Sequence, residues 1–89
     1  MMGLPVYFAD IFARQIRGQA EARGYTFTAI YSTGTAVDWD FPRSGEEALS
    51  RMRSRAKDGQ QVVVFRRDAY GVWRMWANAN LPHREGAAA

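Results

Sequence analysis

Cysteine is missing from all 89 residues, which removes disulfide frameworks, thiolate metal sites and CxxC redox chemistry at once. A chain without such staples is held by packing, the usual situation inside a cell, so a cytoplasmic protein is expected. Histidine occurs once, as His83 after Pro82, with no Cys, Ser or carboxylate at motif spacing. Ser44 and Ser50 have no base to activate them. There is no GxGxxG and no P-loop. No apolar run approaches the roughly 18 residues that a membrane-spanning helix needs. The first residues, MMGLPVYFADIFARQIRG, lack a basic leader, and Asp10 and Arg14 interrupt them, so they do not read as a signal peptide. These absences argue against an enzyme and leave no cofactor or metal to expect.

Lysine is nearly absent too. Lys57 is the one lysine among twelve cations, and the rest are arginine. Arginine suits bidentate contact with phosphate or carboxylate. The net charge of +3 is unevenly spread: residues 1–42 carry three cations and four anions, residues 43–89 nine cations and five anions. The apolar content of 47% and charged content of 24% are those of an ordinary globular chain. At this length one domain is expected, placed at residues 1–80, with a flexible tail over 81–89.

The stretch around which the rest is organised is Gln60 to Asn78, QQVVVFRRDAYGVWRMWAN. It reads as two strands joined by a turn, because β-branched and aromatic residues fill both runs and Asp68-Ala69-Tyr70-Gly71 carries turn chemistry. A three-residue loop, Asp68-Ala69-Tyr70, would pair Phe65 with Trp73 and Val63 with Met75. That face is expected to pack under helices. The other face would carry Val62, Val64, Arg66, Val72, Arg74 and Trp76, too rich a mixture for plain solvent.

Residues 4–23 read as a first helix, with Leu4, Phe8, Ile11, Phe12, Ile16 and Ala20 in one apolar stripe and Gly24 as its C-cap. Residues 25–41 read as a hairpin. A three-residue turn, Thr33-Gly34-Thr35, would pair Tyr31 with Val37, Ala29 with Trp39 and Phe27 with Phe41. It is preferred to a two-residue turn, Thr33-Gly34, which would bring Asp38 and Asp40 onto the face of Phe27 and Ala29, and burying two unpaired carboxylates is very costly. Ser44-Gly-Glu-Glu47 matches a capping box that opens a second helix, running to about Lys57 with Ala48, Leu49, Met52 and Ala56 inward. Asp38 and Asp40 are read as solvent-facing strand residues, without a metal or acid–base role.

The order is thus α-β-β-α-β-β. An α+β fold is expected, with one four-stranded antiparallel sheet and two helices packed on one face. A weak repeat supports it: helix-Gly-strand-turn-strand occurs twice, with Gly24 and Gly59 offset by 35 residues.

The functional signal is the basic, aromatic second half. Arg51, Arg55, Arg66, Arg67 and Arg74 are the candidates to meet phosphates, and Tyr70 and Trp76 to stack on bases. The leading expectation is a binding protein without catalysis, acting on nucleic acid or a nucleoprotein complex. The exposed sheet face, with Trp76 beside Arg74, also suits a protein contact, because interface hot spots are enriched in Trp, Tyr and Arg. A homodimer is one form of that contact. A small, cysteine-free chain of this kind also resembles, in size and style and through no shared motif, phage-borne inhibitors such as anti-CRISPR proteins. The alternative expectation is therefore a phage or mobile-element inhibitor that blocks a host protein surface stoichiometrically.

Overall fold

A computed structural model describes residues 7–81. The elements follow the expected order: a first helix over residues 8–22, strands β1 (Phe27–Thr33) and β2 (Ala36–Asp40), a second helix (Gly45–Lys57), and strands β3 (Gln61–Arg67) and β4 (Trp73–Ala79). The strands form one antiparallel sheet in the order β2-β1-β3-β4. The expectations for Leu4, His83 and most of the 81–89 tail lie outside the described residues; Leu81 packs against the core.

Phe8, Phe12, Ile16 and Ala20, each four residues apart, are the buried residues of the first helix. In an ideal α-helix every such step overshoots a full turn by about 40°, so the stripe would drift off the sheet. Phe12–Ile16 is instead a π-helical segment between α-helical Phe8–Ile11 and Arg17–Ala22. Its wider turn holds a four-residue repeat on one line. Gly24, at φ 75°, ends the helix in the left-handed conformation, as expected.

The second helix opens as its sequence indicates. Ser44 Oγ accepts the Glu47 N–H at 3.1 Å, and the Glu47 carboxylate accepts the Arg43 N–H at 3.0 Å, one residue earlier than a standard capping box.

The two helices do not share a face. Phe8, Phe12 and Ile16 pack with Ile30, Val63 and Phe65, whereas Ala48 of the second helix packs with Ala29, Tyr31, Val62 and Val64. Neighbouring strand residues point to opposite sides of a sheet, so the sheet is held between the helices. The expectation of one shared face is corrected here. The reason is that β1 and β3 are apolar on both sides, so each side needs cover. The repeat is accordingly not a structural symmetry, because a two-fold normal to the sheet would put both helices on one side.

The β1–β2 register also differs from expectation. Tyr31 pairs with Asp38, Ile30 with Trp39 and Ala29 with Asp40. The loop has two residues, Gly34-Thr35, and only Gly34 has a positive φ, at 62°, the combination a type II′ turn uses. Asp38 and Asp40 therefore lie on the Tyr31 face. The penalty argument fails because the carboxylates are paired by arginines of the second helix.

In the second hairpin Phe65 pairs with Met75 and Arg67 with Trp73, so the connection is longer than three residues. The expected Phe65–Trp73 and Val63–Met75 pairs do not form. A bulge then shifts the register, and Val64 pairs with Ala77. On the face expected to pack under helices, Phe65 is buried, Trp73 is half-buried and Met75 is 48% exposed; Trp39 on β2 is half-buried. Phe12 stacks on Phe65 with centroids 4.6 Å apart and meets Trp73 edge-on at 4.9 Å. Trp73 Nε1 donates to Glu21 at 2.8 Å, which ties β4 to the first helix.

Candidate binding site at the β3–β4 hairpin

The second helix runs beside β4 in the same direction. Its first residue, Gly45, lies against Trp76, and its Ala56 carbonyl accepts from Asn80 Nδ2 at 2.9 Å just beyond the strand. This placement divides the candidate residues into two groups.

Arg51 and Arg55 turn toward β2. Arg51 pairs with Asp40 at 2.9 Å and with Glu47 one turn earlier in the helix. Arg55 lies 3.9 Å above the Tyr31 ring, donates to Gln60 Oε1 at 2.8 Å and reaches Asp38 at 3.5 Å. Between them, the buried Tyr31 hydroxyl donates to Asp40 Oδ1 at 2.8 Å. Burial, then the bond to Asp40, push the Tyr31 phenol well above its ordinary range. These two arginines satisfy carboxylates of the same chain, so their charge is largely spent within the fold.

Arg66, Arg67, Tyr70, Arg74 and Trp76 gather at the other end of the sheet. The turn that carries them is built on Asp68, whose Oδ1 accepts the N–H groups of Tyr70 at 2.8 Å and Val72 at 3.0 Å. Those bonds, Val72 first, and the Arg74 guanidinium hold the Asp68 carboxyl below its ordinary range. Arg67 folds back so that its Nε lies 3.5 Å from the Gly71 carbonyl. Tyr70 stands at the tip, 91% exposed.

Arg66 and Arg74 are direct cross-strand partners. Such pairs hold their Cβ atoms about 5 Å apart, and like charges so placed repel. Among the described residues Arg66 has no ion pair, and Arg74 has one loose contact, to Asp68 at 3.6 Å. Phe27 is the register partner of Arg66 on its other side, so Phe27, Arg66 and Arg74 form a row across β1, β3 and β4. Trp76 meets the Phe27 ring edge-on at 5.3 Å and remains 38% exposed.

Most of the face expected to lie open is in fact covered. Val62 and Val64 are buried under the second helix, and the open part is confined to Arg66, Arg74, Trp76 and the turn. Val72, just before β4, and Met75, on the opposite face of β4, are also exposed. Sequence reasoning missed the Phe27 wall, because its contact with Trp76 depends on the β1–β3 pairing. Among the described residues no group of three or more His, Cys, Asp or Glu side chains is placed to hold a metal ion, and no helix is long and apolar enough to cross a membrane.

Comparison with protein-family models, with curated proteins and with solved structures finds no match in any of the three.

Proposed function

We propose that the protein binds without catalysis, and that its β3–β4 hairpin contacts the phosphates of nucleic acid, alone or within a nucleoprotein complex. The observation that carries this reading is the Arg66–Arg74 cross-strand pair, two facing guanidiniums beside an exposed tryptophan, of which only Arg74 has an acidic contact among the described residues, a loose one to Asp68. Repulsion between them is an energetic cost in the free protein, and a bound phosphate removes it. Tyr70 extends the site toward the turn, while Arg67, paired with Trp73, lies on the opposite face of the sheet. Arg51 and Arg55, engaged with Asp40 and Asp38, contribute little.

The test is a salt titration with random-sequence DNA and RNA. Two arginine contacts to duplex give a log–log slope of about −2, and to a single strand about −1.4. Replacing Arg66 and Arg74 together by Gln should remove most of that slope, while replacing Arg53, which carries no ion pair among the described residues, should not.

A second reading, a stoichiometric protein inhibitor of phage or mobile-element type, draws on the exposed apolar side chains at the β4 edge, Val72 and Met75 besides Trp76. An apolar contact of that kind has a shallow salt dependence. Absence of nucleic-acid binding at low salt would leave this reading in front.

A further inference from the structure

Trp76 is braced in a way that its exposure alone does not require. Its indole rests edge-on against Phe27 at 5.3 Å. At Gly45 there is no side chain to displace it; a Cβ there would come within 3.0 Å of Trp76 Cη2 and 3.5 Å of Cζ2. The ring is thus fixed between the start of the second helix and the sheet, yet over a third of the residue stays open. A preset ring loses little conformational entropy when a ligand stacks on it.

Strand alternation puts Trp76 on the side of Arg74, Arg66 and Phe27, and the bulge beyond Phe65 and Met75 leaves it as the extra residue of β4, without a register partner on β3. A charged, bulged edge strand is also a poor template for pairing with another strand. That favours side-chain recognition here over addition of a further strand.

A flat aromatic surface beside two guanidiniums matches one unpaired nucleotide: a base for the ring, and a phosphodiester for the arginines. Bases inside a duplex already have both faces covered by their neighbours, so only an unstacked base is free to use the ring. Resting on the proposed nucleic-acid reading of the hairpin, we infer that Phe27, Arg66, Arg74 and Trp76 form a nucleotide seat selective for single-stranded nucleic acid. The base stacks on Trp76, and its phosphate displaces Asp68 from Arg74.

Fluorescence anisotropy with a labelled mixed-sequence DNA strand of roughly 15 nucleotides, alone and annealed to its complement, tests this. The single strand should bind at least about tenfold tighter than the duplex, and Trp76→Ala should weaken single-strand binding by about 5- to 150-fold while leaving duplex binding unchanged. Trp76→Phe keeps an aromatic ring against Phe27, and its loss should be intermediate; it replaces the alanine variant if thermal melting shows that one to be unfolded. Equal or tighter binding of the duplex, or indifference of single-strand binding to both substitutions, overturns the seat and leaves the phosphate reading standing. Binding of neither form at low salt overturns both.

Discussion

The buried hydroxyl of Tyr31 donates to Asp40 at 2.8 Å, and the same carboxylate pairs with Arg51 at 2.9 Å. One phenol on β1, one carboxylate on β2 and one guanidinium on the second helix are thereby joined. Removing the carboxylate leaves the buried phenol without an acceptor, while Arg51 keeps Glu47; removing the phenol leaves Asp40 paired with Arg51. Asp40→Ala should therefore cost about 2–3 kcal/mol and Tyr31→Phe about 1–2 kcal/mol. Urea denaturation measures both, and a costlier Tyr31→Phe would reverse the assignment.

The Tyr31 phenol also sets an alkaline limit. Its folded-state value lies above the ordinary value of 10.0, because burial and then Asp40 disfavour the charged form. Below the unfolded value the neutral phenol's contribution is fully present. It is lost as pH rises from the unfolded value toward the folded one, since the unfolded chain releases the proton more readily. Melting temperature should fall above about pH 10, and Tyr31→Phe should reduce that fall. An unchanged alkaline limb in the variant would exclude Tyr31 as its source.

Asp68 acts at the other end of the scale. Its carboxyl is held below the ordinary value, mainly by the Val72 N–H and also by the Tyr70 N–H and Arg74. The stabilisation is present above the unfolded value and lost as pH falls through the folded one. Asp68→Asn should flatten the acid limb of the melting profile and increase protease cutting in the turn. Equal acid sensitivity in wild type and variant would contradict this.

Arg66 and Arg74 face each other across β3 and β4. Replacing either one by Gln should stabilise the free protein by about 0.2–1 kcal/mol at low salt, with the gain shrinking as salt is added. The same substitutions are expected to weaken binding, so stability and function should move in opposite directions. Loss of stability at low salt would mean that the pair is already compensated.

Phe12 touches Phe65 and Trp73 and sits within the π-helical segment. Phe12→Ala should cost about 3–5 kcal/mol, enough to unfold much of a domain this small. Circular dichroism and thermal melting measure it.

Local chemistry made much of the architecture readable from the chain. Ser44 as a cap, Gly24 as a helix stop, the apolar stripe of the first helix and the presence of the two hairpins all depend on residues a few positions apart. Turn and cap preferences act over that range. What the chain alone could not reveal depends on what lies opposite. Asp38 and Asp40 looked too costly to place on the Tyr31 face, because Arg51 and Arg55 reach them only once the second helix has docked there. The side taken by the second helix goes with that docking, whereas the π-helical turn belongs to the first helix, whose Phe8, Phe12 and Ile16 pack on the opposite face. The candidate site divides for the same reason: the seven residues become two groups, because Arg51 and Arg55 face carboxylates of β2 while Arg66 and Arg74 face each other, with only a loose Asp68 contact to Arg74 among the described residues. Composition and spacing determined the elements and their order, while tertiary packing decided which charges remain free to bind.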